Sequence, residues 1–196
     1  KLLFIYANPN HINNLENIIN SCFLNVINYT AKPYTSALSA LTDEEKNQGS
    51  VCIDIGAGTT SISVFINGSI VYAKSLNLGG WYITNDISKE LSTPFDQAEA
   101  LKTLYGSALR GANDGEEIFQ IPMIGGNDEN RHSFSRSKLI SIIKPRLWEI
   151  LMHSKKCIEQ SGYRDISNKN TIITGGTMEL PGSIEFAERI LEARVR

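Results

Sequence analysis

A glycine-rich turn between two apolar segments constrains the fold of this chain more than any other feature. Val51 to Ile55 is an apolar run that predicts a buried strand, and it leads into the segment Asp54–Thr60, with the sequence DIGAGTT. From Thr60 to Ile66 apolar and polar residues largely alternate, which is the period of a strand. Asn67-Gly68 is the preferred pair for a type I′ turn, and Ser69 to Leu76 forms the return strand. The pattern predicts a three-stranded antiparallel sheet joined by two tight turns.

The residues of the glycine-rich turn are suited to binding phosphate. Glycine tolerates positive φ and, having no Cβ, lets backbone N–H groups approach an anion closely. Asp54 lies at the strand end, and Mg²⁺ is often held through the waters that it keeps. The candidate nucleotide-binding residues here are Asp54, Gly56, Ala57, Gly58, Thr59 and Thr60, with Asp54 also the candidate metal residue through water. A plain hairpin turn would explain the same glycines.

A second candidate is the pair Glu99 and Lys102. The pair lies on a helix predicted to be capped by Thr93, to have Pro94 at its first position and to end at Tyr105. Residues spaced i, i+3 share one helix face, so the two side chains can bind ribose hydroxyls and an adenine edge together. A surface ion pair is the alternative for these two residues.

A third candidate follows the predicted strand Thr171–Thr174. Gly175 and Gly176 end this strand, and Met178 follows them before the predicted last helix begins at Pro181. Paired glycines between a strand and a helix let the backbone approach a flat ring or a phosphate. A strand-to-helix turn that merely needs glycine is the alternative.

Hydrophobic periodicity predicts the remaining elements. At the N-terminal end, residues 2–6 and Leu24–Tyr29 predict strands around a helix capped by Asn10, together a β-α-β unit. The other predictions are a helix Tyr34–Leu41, a helical turn opened by the capping box at Thr42 and ended by Gly49, a helix from Gly79-Gly80 to Leu91, Gly106 at C′ after Tyr105, a loop and hairpin in 107–133, and a long helix Ser135–Gln160 that contains Pro145 and is closed by Gly162.

Composition excludes some functions. The formal net charge of −2 does not favour binding to nucleic acid or to an anionic membrane, so no nucleic-acid partner is expected.

Cys22, Cys52 and Cys157 lie singly among apolar residues and are expected to be small core residues. No apolar run reaches the roughly 18 residues that a membrane span needs. The two ends, at Lys1 and Arg196, are expected to be those of a piece of a longer chain.

The three candidate segments, in this order and behind this sheet, resemble the actin-like ATPase superfamily. The resemblance implies an α/β fold, an RNase H-like mixed sheet flanked by helices with a smaller inserted subdomain. It implies that Asp54–Thr59 is the second phosphate loop, and that the Glu-x-x-Lys helix and the Gly-Gly turn contact the nucleoside. It also places Lys32 where many members have a Gln or Glu that orients the attacking water, so any ATPase activity is expected to be slow.

Within this superfamily the chain resembles the bacterial FtsA family of cell-division proteins. The segments that carry the resemblance are Thr30–Tyr34, Leu41–Glu45, Asp54–Thr60, Thr84–Ile87, Thr93–Glu99, Gly106–Leu109 and Ile143–Arg146. The family's organisation implies three parts: residues 1–30, the tail of an inserted subdomain of the first half; residues 31–92 and 134–196, the RNase H-like nucleotide-binding subdomain; and residues 93–133, the smaller inserted subdomain.

The resemblance to FtsA also implies ligands, partners and a place in the cell. The expected cofactors are ATP and Mg²⁺. The expected partners are the tubulin-like ring protein FtsZ, other copies of the protein in filaments, and other divisome proteins. Membrane contact is expected only through a segment outside these residues, at the cytoplasmic face of the inner membrane at the division site.

Two other functions remain open at this point. A small-molecule kinase of the same superfold would share the glycine turn but would need a catalytic Asp, and the sequence offers no candidate besides Asp54. A pilus-assembly actin-like ATPase would share all three segments, and co-sedimentation with FtsZ would separate it from an FtsA protein.

Overall fold

The computed structural model describes residues 3–122, 131–168 and 170–196. Its elements in chain order are α1 (Pro9–Ser21), α2 (Lys32–Ala40), α3 (Asp43–Gln48), β1 (Ser50–Ile55), β2 (Thr60–Ile66), β3 (Ser69–Leu76), α4 (Gly80–Glu90), α5 (Phe95–Tyr105), β4 (Ile118–Pro122), β5 (Arg131–Ser135), α6 (Arg136–Ser161), α7 (Arg164–Ser167), β6 (Thr171–Thr174) and α8 (Ser183–Leu191), with a 3₁₀ turn at Gly176–Glu179. In the described ranges, no helix combines the length and apolarity needed to cross a bilayer.

A four-stranded mixed sheet lies at the centre of the molecule, with the strand order β3-β2-β1-β6. The predicted antiparallel arrangement of β1, β2 and β3 is confirmed, and β6 adds to β1 in parallel. Asp54 on β1 lies beside Thr174 on β6. Because parallel strands end at the same edge of a sheet, the glycines that follow β1 and those that follow β6 meet there.

Both faces of this sheet are covered, which explains why β1 is buried along its whole length. Successive side chains of a strand point to opposite faces. Cys52 packs with Ala37 of α2 on one face, and Ile53 belongs to the larger core cluster on the other. That larger cluster includes buried residues of α4, α6 and α8, among them Ile83, Ile87, Leu139, Ile143, Leu147, Ile150, Leu151, Phe186 and Leu191.

The turn and helix signals in the central part of the chain are confirmed. Asn67 and Gly68 have φ of 50° and 73°, so both take the positive φ that a type I′ turn needs. Thr42 and Glu45 form the predicted capping box. The long helix runs over 26 residues through Pro145, and the left-handed Gly162 ends it. The predicted hairpin in 107–133 is present as β4 and β5, while residues 123–130 lie outside the described ranges.

The predicted N-terminal β-α-β unit is wrong. Its helix is present as α1, but Asn8 caps it in place of Asn10. Residues 3–8 and 24–31 form no strand, and their apolar side chains, such as Phe4 and Ile27, are exposed. A strand needs a hydrogen-bonded neighbour, and no strand in the described part of the chain pairs with either segment. Residue 2 lies outside that part. Cys22 is exposed, so the expectation of a core cysteine also fails there, whereas Cys52 and Cys157 are buried.

Several helix ends differ from the prediction, and α2 begins at Lys32, two residues before the predicted Tyr34. Pro94 is the N-cap of α5 with an extended ψ of 149°, so the helix begins at Phe95 and Thr93 is not its cap. Gly106 is extended, with φ of −65°, and is the C-cap rather than a left-handed C′ residue. The last helix begins at Ser183, because the left-handed Gly182 follows Pro181 and precedes the first turn.

Close packing against Lys102, Leu180 and Ile143 requires glycine at position 106. Gly106→Ala should lower the free energy of unfolding by about 1–3 kcal/mol, the usual cost of an extra methyl group in a packed interior. The added Cβ would clash with the Lys102 carbonyl oxygen and lie 2.9 Å from Leu180 Cδ2 and 3.0 Å from Ile143 Cδ1. Urea unfolding of the full-length protein measures the loss. Gly115→Ala is the control, because no described atom lies within 4 Å of a Cβ there, and equal losses would contradict the packing explanation.

Candidate functional site

The predicted glycine turn closes the hairpin between β1 and β2. The Gly56 N–H donates to the Thr59 carbonyl over 3.0 Å. Gly56 and Gly58 are not among the residues with positive φ, so the turn does not use the positive φ that glycine tolerates. A Cβ on Gly58 would have no described atom within 4 Å, so folding alone does not demand glycine at this position.

The carbonyl groups of the turn bind the N-terminus of α4. Gly80 N–H donates to the Gly56 carbonyl over 2.9 Å, and Trp81 N–H donates to the Ala57 carbonyl over 2.7 Å. The first N–H groups of a helix have no partner within the helix, and the turn supplies two acceptors for them. Gly79 allows this approach, because a Cβ on it would lie 2.5 Å from both carbonyl oxygens.

The N–H groups of the same turn are left for another partner. In the described part of the chain, the backbone N–H groups of Ala57, Gly58 and Thr59 have no hydrogen-bond acceptor. Ala57 and Gly58 are exposed and Thr59 is half-buried. Successive unpaired N–H groups on an exposed turn form a ready site for an anion.

Asp54 lies at the end of β1 and is 8% exposed. Its Oδ2 accepts a hydrogen bond from Ser36 Oγ over 2.6 Å and lies 3.1 Å from Lys32 Nζ. Its Oδ1 faces Gly175, where an added Cβ would lie 2.6 Å from that oxygen. Gly175 also has φ of 100°, so glycine is needed at this position for two reasons.

The third candidate segment joins the first through Thr177. Its Oγ1 donates to the Gly56 carbonyl over 3.1 Å. Thr177 was not singled out from the sequence, although it directly follows the paired glycines. Gly176 is exposed, whereas Met178 is only 8% exposed and packs in the core, so its side chain offers a ligand little surface.

The second candidate segment joins the same place through Lys102. The Lys102 ammonium group donates to Glu99 Oε2 over 2.7 Å, to Thr84 Oγ1 over 2.8 Å and to the Gly80 carbonyl over 3.4 Å. Lys102 is buried and thus connects α5 to the start of α4. Glu99 keeps 45% of its side chain exposed, so Glu99 is the member of the pair open to a ligand. Thr84, which also bonds to Glu99, was missed because its partners are distant in sequence.

The charge state of Glu99 reflects these contacts. Burial raises the pKa of Glu99, but hydrogen bonds from Lys102 and Thr84 and the positive charge of Lys102 outweigh it. The pKa of the Glu99 carboxyl group is therefore lowered, and the group is ionised at neutral pH. In the described ranges, no group of three or more His, Cys, Asp or Glu side chains is placed to bind a metal ion.

Comparison with known proteins assigns the family. The model of the family described as "Cell division protein FtsA" matches residues 51–196, well over half of the chain. The chain belongs to the FtsA family.

Curated FtsA proteins align with nearly all of the chain. The FtsA protein of Rhizobium meliloti is 40% identical over 186 residues, which is 94% of this chain and 42% of that protein. The Pseudomonas aeruginosa protein is 34% identical over 93% of this chain and 43% of its own length, and the Bacillus subtilis protein is 32% identical over 94% and 41%. The chain therefore spans well under half the length of these FtsA relatives.

Solved structures confirm the predicted actin-like fold. MreB 5 of Spiroplasma citri bound to AMPPNP has a TM-score of 0.79 at 20% identity, covering 97% of this chain and 60% of that one. A PilM–PilN type IV pilus biogenesis complex has a TM-score of 0.73 at 18% identity, covering 96% and 47%. At these identities the likeness establishes the fold alone.

The ion pair of Glu99 and Lys102 predicts a pH-dependent contribution to stability. Glu99→Gln should lower the free energy of unfolding at pH 7 by about 1 kcal/mol or less, since Glu99 is partly exposed and solvent screens the pair. A lowered folded-state pKa means that this stabilisation is present at neutral pH and is lost in acid, as the pH falls through the lowered pKa of Glu99.

Urea unfolding of the full-length protein at pH 7 and at pH 3.5 measures this difference. Glu90→Gln is the matched control, because Glu90 is more exposed and lies 3.8 Å from its partner Lys138. A difference between wild type and Glu99→Gln that stays constant with pH would contradict the assignment.

Proposed function

We propose that the full-length protein is an ATP-binding, actin-like cell-division protein that polymerises and links the FtsZ ring to the cytoplasmic membrane. Membership of the FtsA family supports cell division over the small-molecule kinase and pilus-assembly alternatives. The observation that carries nucleotide binding is the exposed turn with unpaired N–H groups at Ala57, Gly58 and Thr59, beside Asp54 and tied to both other candidate segments.

The turn fits the phosphate groups of a nucleotide. Within the predicted loop Gly56–Thr60, the unpaired N–H groups of Ala57, Gly58 and Thr59 would donate to phosphate oxygens, and the absent side chain at Gly58 leaves the room that those oxygens need. Asp54 would hold Mg²⁺ through its bound water, and the ion would neutralise part of the phosphate charge. A single carboxylate that also bonds to Lys32 and Ser36 suits an indirect, water-mediated contact.

The nucleoside would lie toward the other two segments. Glu99 keeps an exposed, ionised carboxylate that can accept hydrogen bonds from ribose hydroxyls, and Lys102 holds it in place. Gly175 and Gly176 would face the adenine with backbone alone, and Met178 would contribute its backbone and its exposed edge. MreB 5 of Spiroplasma citri has been solved bound to AMPPNP and to ADP, which supports a nucleotide in this fold.

The residues near the phosphate turn favour slow hydrolysis. An ammonium group such as that of Lys32 donates hydrogen bonds and accepts none, so it cannot take a proton from an attacking water. Asp54 already accepts a hydrogen bond from Ser36 and forms an ion pair with Lys32. We therefore expect the nucleotide to act mainly as a clamp between the halves of the full-length protein, which controls filament assembly. Any ATPase activity would be low.

The proposed partners follow from the family. FtsZ would dock on the smaller inserted subdomain, residues 93–133. The RNase H-like part, residues 31–92 and 134–196, would hold the nucleotide together with Glu99 and Lys102 of the smaller subdomain. The hairpin of β4 and β5 crosses the boundary at residue 133. Other divisome proteins and further copies of this protein would complete the assembly at the cytoplasmic face of the membrane at the division site.

Gly58→Val tests the phosphate turn. We expect the affinity of the full-length protein for ATP to fall at least about 100-fold, because the valine side chain fills the space of a phosphate group. The fold should be retained, since no described atom lies within 4 Å of a Cβ at Gly58. Titration calorimetry gives the affinity, and Gly115→Val, at an equally open glycine, is the control. Unchanged ATP affinity in a folded Gly58→Val protein would contradict the assignment of this turn as the phosphate site.

Co-sedimentation tests the cell-division role. More of the full-length protein should pellet with polymerised FtsZ than pellets alone or with unpolymerised FtsZ, because only FtsZ filaments sediment and carry a bound protein down. Absence of binding to FtsZ in either form, by a protein that binds ATP, would favour a different assembly ATPase.

A further inference from the structure

Lys32 places a positive charge directly over the phosphate turn. It is the first residue of α2, and its Nζ lies 3.1 Å from Asp54 Oδ2. A Cβ built on Gly56 would lie 3.0 Å from the same Nζ, so the ammonium group lies against the backbone of the turn. Three elements therefore meet at this charge: the start of α2, the end of β1 and the glycine turn.

The Lys32 ammonium group is also within reach of a ligand. Its side chain is 47% exposed, whereas that of Asp54 is 11% exposed. Among the described residues, Asp54 is its only carboxylate partner within 4.0 Å. The group can therefore keep its contact with Asp54 and still direct an N–H toward an anion on the turn, since an ammonium group has three donors.

A purely structural role for the Lys32–Asp54 pair is a weak explanation of its position. Ser36, one turn further along α2, already fixes the same Asp54 oxygen over 2.6 Å. Ala37 and Leu41 of this region are buried against Cys52 and Phe65 of the sheet. Packing and the serine thus hold α2 on the sheet, and a half-exposed ion pair adds little to that.

We propose that Lys32 is a built-in cation of the phosphate site, which binds nucleotide phosphate and competes with the divalent metal for Asp54. This inference rests on the proposed nucleotide binding at the turn. Lys32 supplies one positive charge without any metal, next to the unpaired N–H groups of Ala57, Gly58 and Thr59. It also occupies the carboxylate oxygen Oδ2 that the waters of Mg²⁺ would otherwise use.

The consequence is a nucleotide site with a reduced requirement for divalent metal. With Lys32 present, metal-free nucleotide keeps a charged partner, and Asp54 is already partly neutralised. Without Lys32, metal-free nucleotide meets an uncompensated Asp54 carboxylate and is repelled by it. Mg²⁺ would restore binding in that case, because Asp54 would be free to hold the ion's waters. Removal of Lys32 should therefore make binding depend on the metal.

Titration calorimetry of the full-length protein tests this dependence. A non-hydrolysable ATP analogue is titrated in Mg²⁺ and in EDTA against wild type, Lys32→Ala, Lys32→Gln and Lys32→Arg. The control is Lys138→Ala, because the Lys138 side chain is 51% exposed and also has one carboxylate partner, Glu90. Thermal unfolding checks that each variant is folded. Lys32→Gln keeps a hydrogen-bonding side chain and serves if the alanine variant is unstable.

We expect the affinity in EDTA to fall about tenfold in Lys32→Ala and Lys32→Gln. The affinity in Mg²⁺ should change by less than about threefold, so the ratio of the affinity in Mg²⁺ to the affinity in EDTA rises. Lys32→Arg and Lys138→Ala should keep the wild-type ratio. An unchanged ratio in folded Lys32→Ala and Lys32→Gln, with wild-type binding intact, would overturn the inference and leave the proposed function standing. Absence of nucleotide binding by wild type in both buffers would overturn the proposed function itself, and this inference with it.

Discussion

The candidate site depends on the hydrogen bonds that join the glycine turn to the start of α4. The carbonyl groups of Gly56 and Ala57 accept the N–H groups of Gly80 and Trp81, which a helix N-terminus would otherwise leave unpaired. These bonds fix the turn on the N-terminus of α4 through its carbonyl groups, while the N–H groups of its exposed part are left without acceptors. The bonds form only because Gly79 lets the two backbones approach. A turn that caps a helix in this way would also be preorganised for the proposed binding of an anion.

The same contact brings together segments that are far apart in the sequence. Thr177 donates to the carbonyl of Gly56, and Lys102 lies close to Gly80, so all three candidate segments meet around the start of α4. The parallel pairing of β1 and β6 places Asp54 next to Gly175. The strand order of the sheet and one helix end thus assemble the site, and no single motif does so alone.

Much of the fold was predictable because its signals are local. Alternation, the Asn67-Gly68 turn and the capping box at Thr42 depend on neighbouring residues, and the structure confirms them. The N-terminal strands failed because an apolar run becomes a strand only where a neighbour supplies hydrogen bonds. The partners of the site residues, such as Thr84 and Ser36, were missed because their contacts are long-range. Of the two properties of glycine that the sequence suggested for this turn, positive φ is not used at Gly58, and the proposed phosphate site depends on the missing Cβ alone.

Nucleotide binding at this site depends on contact between the glycine turn and the phosphate groups. A crystal structure of the full-length protein with Mg²⁺ and AMPPNP would show whether this contact exists. We expect phosphate oxygens at about 3 Å from the N–H groups of Ala57, Gly58 and Thr59, the ribose beside Glu99, and the metal's waters beside Asp54. A nucleotide bound away from this turn, with those N–H groups facing solvent, would rule out the proposed phosphate site.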